Sequence, residues 1–368
     1  MKQIAYLGMD VHKNSITLAL ITKKSKTEEF TKKIENNITI LTKLVKKLYK
    51  QYHLRVCYEA GGCGFTIYRK LTDIGIDCIV VAPSLIPEIK KGLKTDKIDA
   101  IKLASLLKAD MLTSINVPDE DLERDRDLIR FRESQVNNLR RSKQSICAFV
   151  LRKGLQYDGK KSFTKKYLLW LSNLELEKND KRTLQMLLNH FHYQQRLVDE
   201  LEEEIVELSK SEVYKRRVEI LIGFRGIRVL NAMKILTNIA DFRAFPNPKK
   251  LMSFFGVTAD EKSSGEKQYN KGISKRGNSL LRKSVVLAAQ SFAKPFNDSV
   301  DIRKRRENLS SSVLEIVQRA DKRCKKRYYH FINKGKNTNV AKMAVARELV
   351  GFIWEAMMYH YEGELIKV

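Results

Sequence analysis

Residues 4–22 read IAYLGMDVHKNSITLALIT, and the fold turns on this stretch. Its two apolar runs, IAYLGMDV (4–11) and SITLALIT (15–22), have strand character, and His12-Lys13-Asn14 between them is a short polar turn. A third strand, EEFTKKIE (28–35), follows, so the chain opens as a meander. Outward from there the pattern predicts a helix over 38–52, a strand over 54–59, a helix over 65–74 and a strand over 77–82. Strands that alternate with helices define an α/β domain. A loop with Pro83 and Pro87 then leads into KGLKTDKIDAIKLASLLKAD (91–110), where Ile98, Ile101, Leu103 and Leu106 suit an amphipathic helix. The domain is expected to close near Val117-Pro118.

Two long helices are expected next, over 119–150 and 184–208, because both runs are highly charged and lack Gly and Pro. In the second, Leu184, Phe191, Val198 and Ile205 recur every seven residues beside Leu187, Leu201 and Leu208, a coiled-coil signature with Gln194 as its lone polar interruption. The first keeps Leu122, Ile129, Val136 and Val150 in step but places Lys143 among them. Two helices packed on each other within one chain would leave the same stripes. Between the runs, RKGLQYDGKKSFTKK (152–166) reads as a basic linker. From about Val218 the sequence LIGFRGIRVLNAMKIL resembles a helix-hairpin-helix, in which Gly223 and Gly226 could bring backbone N–H groups to a phosphate; an ordinary glycine-containing helix connection fits equally. The expected domains are 1–118, 119–215 and 216–368.

Seventy Lys and Arg against 43 Asp and Glu leave a formal charge of +27, which points to a polyanionic partner. No apolar stretch reaches the length of a membrane span and no signal-peptide pattern opens the chain, so a cytoplasmic, nucleic-acid-bound protein is expected. The five cysteines are scattered and form no C-x-x-C pair. They read as buried free thiols and not as disulfides or a zinc site.

Four acidic residues stand out. Asp10 and Glu59 end apolar strands, and Asp96 and Asp99 lie three apart at a helix start, on one helix face. Carboxyl ends of strands are where α/β sheets place their sites. Clustered carboxylates repel one another unless a cation joins them, and phosphodiester chemistry uses hard cations held in this way. Each residue alone could equally be a helix cap or a solvated strand end.

YLGMDVHKNSITLAL (6–20), CYEAGGCGFTIYRKL (57–71), VAPSLIP (81–87) and KTDKIDAIKLASLL (94–107) resemble the signature blocks of the DEDD transposases of bacterial insertion sequences, the IS-one-ten and IS-eleven-eleven family. GFRGI (223–227), DFRAF (241–245), LMSFFGVTADEKSSGEK (251–267) and GISKRGNSLLRKSVVLAA (272–289) are similar to the family's C-terminal domain. The resemblance implies an RNase H-like fold of the Holliday-junction-resolvase type, a long helical middle region and a mostly α-helical C-terminal transposase domain. It puts the catalytic, metal-binding carboxylates on Asp10, Glu59, Asp96 and Asp99, with Mg²⁺, or Mn²⁺ in its place, as the cation. It implies a serine nucleophile, here Ser264 or its neighbour Ser263. The family's Gly-x-Thr-Pro is Gly256-Val257-Thr258-Ala259 in this chain, which leaves the one-residue register open.

The implied partners are donor and target DNA and a structured non-coding guide RNA, bound by a dimer or tetramer. Lys267, Lys271, Lys275, Arg276 and Arg282 surround the serine segment and suit phosphate contacts, as do RKRR (303–306) and DKRCKKRYYH (321–330), with Tyr328 and Tyr329 as either stacking or packing residues. Two other readings stay open. One is a metal-dependent nuclease or junction resolvase that uses water as its nucleophile. The other is a basic RNA-binding scaffold in which the acidic residues are structural.

Overall fold

The structure is a computed structural model that describes residues 2–25, 27–87, 95–264, 267–273, 277–294 and 299–365, with the backbone alone at 85, 260–264, 267–271, 362, 364 and 365. The chain forms two compact units, Met1–Pro118 and Asp119–Val368.

In the first unit, β1 (Gln3–Val11), β2 (Ser15–Thr22) and β3 (Phe30–Glu35) form the meander. Helix α1 (Ile38–Gln51) leads to β4 (Tyr52–Glu59), and α2 (Thr66–Asp73) leads to β5 (Asp77–Val81). The sheet order is β3-β2-β1-β4-β5. β1, β2 and β3 pair antiparallel, whereas β1, β4 and β5 are parallel, as crossover helices require. β3 begins at Phe30, two residues later than its composition suggests, because Glu28 and Glu29 lie outside the ladder. Asn37 caps α1 by accepting from the N–H groups of Thr39 and Ile40.

Strand alternation splits the sheet into two faces. Leu7, Met9, Leu18, Val56 and Tyr58 pack with Leu41 and Val45 of α1 and Ile67 and Leu71 of α2. The opposite face, with Tyr6 and Cys57, packs on Leu103 and Leu107 of α3 (Asp96–Lys108). Each such buried aliphatic side chain contributes roughly 1.5–3 kcal/mol. Gly8 sets the spacing of this second layer. A methyl group there would lie 2.2 Å from the Ala100 carbonyl oxygen and 2.5 Å from the Ala104 nitrogen, so α3 rests directly on the backbone of β1.

The second unit opens with α4 (Glu120–Arg152) and α6 (Lys178–Leu208), which pack together as an antiparallel pair. The heptad residues Leu184, Phe191 and Val198 are buried against Leu139, Ile146 and Val150 of α4, so α4 of the same chain covers that seam. Gln194 is buried within it, and its Oε1 has no hydrogen-bond partner among the described residues. The segment expected to be a linker is partly folded. It enters α5 (Lys165–Ser172), where Tyr157, Phe163, Tyr167 and Trp170 build an aromatic cluster, Tyr157 and Tyr167 meeting edge to face at 4.9 Å.

The rest of the unit comprises α7 (Lys215–Gly223), α8 (Val229–Asn238), α9 (Pro248–Phe255), the hairpin β6 (Ala259–Ser264) and β7 (Lys267–Ile273), α10 (Ser279–Ala289), α11 (Val300–Arg306), α12 (Ser311–Asn333) and α13 (Thr338–Leu365). The charge pair of buried Glu133 in α4 and Lys234 in α8 ties the long helices to this core, with Lys283 of α10 3.4 Å from the same carboxylate. Among the cysteines, Cys57, Cys78 and Cys324 are buried, but Cys63 is half-buried and Cys147, in α4, is exposed, contrary to the expectation of buried thiols. No helix among the described residues is long and apolar enough to cross a membrane.

Gly8→Ala is expected to destabilise the first unit by about 1–3 kcal/mol, the usual scale for overpacking. Hydrogen exchange should show the loss as faster exchange in β1 and α3, while the amides of α4 and α6 keep their wild-type protection.

Candidate active site

β1 and β4 run parallel with Met9 opposite Tyr58, so Asp10 and Glu59 end adjacent strands. By alternation Asp10 shares the face of Gly8, and Glu59 that of Cys57, which is the face covered by α3. Thr95 caps α3 by accepting from the Ile98 N–H, which fixes where the helix starts and puts Asp96 and Asp99 in its first turn. Acidic residues are favoured there by the helix dipole.

The site gathers around Asp10 and Asp96. His12 Nε2 lies 3.0 Å from Asp10 Oδ2 and 3.6 Å from Asp96 Oδ1. The Lys33 ammonium of β3 donates to Asp96 Oδ2 at 2.8 Å. Ligand atoms of Asp10, His12 and Asp96 all fall within 4.8 Å of one another. Asp99 stands close enough for its charge to act on Asp10. Glu59 ends the neighbouring strand without joining the three-residue cluster.

Sequence reasoning treated His12 as a turn residue. In the structure its backbone N–H donates to the Ser15 carbonyl at 2.9 Å, and the Asn36 side-chain amide donates to the His12 carbonyl at 2.8 Å. The imidazole is therefore held two residues beyond Asp10. The usable signal was the spacing, since positions i and i+2 share a strand face.

Burial lifts the Asp10 carboxyl above its ordinary range. The Asp96 and Asp99 charges add to that lift, and His12 opposes it. The Lys33 ammonium holds Asp96 below the usual carboxylate range. A half-buried carboxylate crowded by two others is relieved by a cation. The carboxylate oxygens of Asp10 and Asp96 are hard donors that suit a divalent ion of the Mg²⁺ or Mn²⁺ type, whereas the His12 imidazole is a softer donor that such ions do not require.

In the second unit, Ser263 pairs with Gln268 and Ser264 with Lys267, at the end of β6. Only the backbone is described at these four residues and at Lys271, while Lys275 and Arg276 lie outside the described residues. The hairpin's two ends are pinned together. Gly256, left-handed at φ 66°, ends α9, and Gly277 stacks on it so tightly that a methyl on Gly277 would lie 2.3 Å from the Gly256 nitrogen. Asn278 caps α10 and donates from its backbone N–H to the Phe254 carbonyl at 2.8 Å. Arg282 is half-buried beside this junction, its guanidinium within 3.4 Å of the Gly277 carbonyl.

Other basic residues expected at a phosphate surface are interior. Arg306 is buried, donating to the Gly223 carbonyl at 3.0 Å and to Asp321 at 2.7 Å, and Arg305 donates to the Ile227 carbonyl at 2.9 Å. Half of RKRR thus closes the end of α7. Tyr328 is buried in the core and meets Tyr329 edge to face. Gly223 and Gly226 serve close packing, the first against Leu309 and the second, at φ 83°, against the Ala288 carbonyl.

Comparison with known proteins agrees with both units. Residues 7–153 match a DEDD-type transposase family described as "Transposase", and residues 218–301 match "Transposase IS116/IS110/IS902 family". The transposase of insertion sequence element IS1533 from Leptospira borgpetersenii is 32% identical over 91% of this chain and 99% of its own length. The chain belongs to this transposase family. A Sinorhizobium fredii protein whose name proposes a transposase, y4qE, is 36% identical over 95% of the chain and 87% of itself. The IS1111A transposase of Coxiella burnetii is 25% identical over 82% and 81%. Membership makes the protein a DNA-cutting and rejoining enzyme with an RNase H-like first unit, which the mixed five-stranded sheet fits, and the DEDD-type family model suggests use of a divalent metal.

The lifted Asp10 carboxyl sets a pH test. A group whose folded pKa is raised stabilises the fold below its ordinary pKa, and that contribution is lost as pH rises through the raised value. Without divalent cation, Asp10→Asn should therefore melt above the wild type at neutral pH, with the gap closing in acid. With a cation at about a hundred times its dissociation constant, the wild type should gain about 2.7 kcal/mol and Asp10→Asn much less, as read by calorimetry.

Proposed function

We propose that this transposase breaks and rejoins DNA through a serine nucleophile, Ser264 or Ser263, assisted by Mg²⁺ held at Asp10, Asp96, Asp99 and Glu59. The observation that carries the metal half of this reading is the convergence of Asp10, His12 and Asp96 at the end of β1. A divalent cation there supplies Lewis-acid stabilisation of the charge that builds on the phosphoryl oxygens. Asp10 and Asp96 hold it from a strand end and a helix start, so neither ligand depends on a flexible loop. Thr95, by capping α3, keeps Asp96 and Asp99 in place.

In the serine step the hydroxyl oxygen forms a bond to phosphorus as the bond from phosphorus to the departing deoxyribose oxygen breaks. The serine proton is given up and the departing oxygen takes one. The DNA end stays on the protein as a phosphoserine, so the bond is conserved for rejoining and no high-energy cofactor is consumed. The position of both serines at the tip of a hairpin anchored by Gly256, Gly277 and Asn278 supports this role. The two serines stand as alternatives for the one nucleophile.

Lys267, Lys271, Lys275, Arg276 and Arg282 are assigned to phosphate contacts around that hairpin, and the charge of +27 suits an assembly holding both DNA and a guide RNA. The protein is read as a homo-oligomer, a dimer or tetramer. Because α4 covers the heptad seam of α6, protomers are expected to meet through other surfaces.

The test is covalent capture. Full-length protein incubated with Mg²⁺, guide RNA and end-labelled donor DNA should yield a protein–DNA adduct that survives denaturation. Ser263→Ala with Ser264→Ala should abolish it, and Asp10→Asn should lower the rate by at least about 10²-fold, the scale for losing a key charge-stabilising group. Cleavage that persists in the double serine variant but is lost in Asp10→Asn would assign water as the nucleophile and make the protein a metal-dependent nuclease or junction resolvase.

A further inference from the structure

Beside the carboxylates lies a cavity of about 570 Å³ lined by Thr17, Thr31, Lys32, Lys33, Thr95, Asp96 and Lys97, a volume within the range of about 300–1,000 Å³ typical of ligand sites. Apart from Asp96, these residues offer hydroxyl and ammonium donors. Asp10 faces Thr17 across the β1–β2 ladder. Thr17 is 5% exposed, and its hydroxyl has no hydrogen-bond partner among the described residues. Buried hydroxyls almost always find a partner, so one left open on a cavity wall marks a place where a ligand atom completes the set.

Of the three lining lysines, Lys33 and Lys97 reach carboxylates beside the cavity. Lys97 sits in the first turn of α3, where the helix dipole disfavours a cation. Its ion-pair partner is Glu28, 3.2 Å away and itself partly exposed. Lys33 reaches across from β3 to Asp96 Oδ2 at 2.8 Å, while Oδ1 of the same carboxylate lies 3.6 Å from His12, so the ammonium and a cation at the cluster would share one carboxylate's charge. An anion between the two ammonium groups would give both lysines a second partner beside carboxylates they now hold only through exposed ion pairs.

We infer that this cavity is a phosphate subsite. It takes a backbone phosphodiester adjoining the one at the carboxylates, and Lys33 moves from Asp96 to that phosphate when a divalent cation binds. The inference rests on the reading of Asp10 and Asp96 as cation ligands. A phosphodiester presents acceptors only, which matches Lys33, Lys97 and the threonine hydroxyls as donors. Cation binding and phosphate binding are thereby linked, because the cation replaces Lys33 as the charge partner of Asp96 and releases the ammonium for DNA.

The linkage is read from DNA affinity, not cleavage. Binding of a labelled duplex to the full chain would be followed by anisotropy across a salt series, once with Ca²⁺ and once with EDTA. With Ca²⁺, Lys33→Gln should reduce the slope of log affinity against log salt by about 0.9, the value of one phosphate contact on duplex DNA; in EDTA, with Lys33 still held by Asp96, the slope should not change. Thr17→Val should weaken binding several-fold in Ca²⁺ with the melting temperature unchanged or higher. An unchanged slope for Lys33→Gln in Ca²⁺ overturns the subsite, and an equal loss in both conditions overturns the exchange. Inorganic phosphate that binds with the same dependence on Lys33 while DNA does not would assign the cavity to the free ion, against the inference. Ca²⁺-induced thermal stabilisation of the same samples separates the two layers. Its absence in the wild type removes the cation reading, whereas its presence with an unchanged slope removes the subsite alone.

Discussion

Gly8 has no side chain, and for that reason the backbone of α3 can lie on β1 with Ala100 and Ala104 at contact distance. The carboxylate centre follows from this one close approach. Asp10 sits two residues along the same strand face and Asp96 one turn before Ala100, so bringing the two backbones together brings the two carboxylates together. A larger residue at position 8 would lift the helix and separate them, without touching either acidic group.

Such a centre carries an electrostatic cost that the fold manages locally. Asp10 is half-buried, and nearby carboxylates raise its pKa further. His12 and Lys33, one from the turn after β1 and one from the edge strand β3, stand within reach of Asp10 and Asp96 and offset part of the repulsion. Both are well exposed, so their hold is of the weak, screened kind that an entering ion can replace. A divalent ion brings more charge to the same oxygens. The centre is in this sense balanced for exchange, held together well enough to fold and loosely enough to change partners.

The second unit uses its charges differently. Arg305, Arg306 and Asp321 are structural, closing helix ends and carrying buried hydrogen bonds, and Glu133 joins α4 to α8 and α10 through Lys234 and Lys283. A net charge of +27 therefore overstates the basic surface, since some of the cations face inward. Linear runs such as RKRR cannot show this, because helical periodicity turns successive residues to different sides.

Much was legible from the chain alone. The meander, the alternation of helix and strand, the two long helices and the acidic residues at strand ends and a helix start all follow from local periodicity and from where polar residues interrupt apolar runs. The resemblance to transposases rested on blocks of contiguous sequence and needed no fold. What local pattern could not show was contact at a distance. His12 read as a turn residue because its importance lies in being 3.0 Å from Asp10 and 3.6 Å from Asp96. Lys33 carried no signal in the sequence because its partner lies 63 positions away. The heptad stripe of α6 could not declare whether its mate was another protomer or its own α4, since both bury the same residues. Sequence periodicity specifies which face of an element is apolar; only the tertiary structure decides what covers that face, because the choice depends on the packing of segments far apart in the chain.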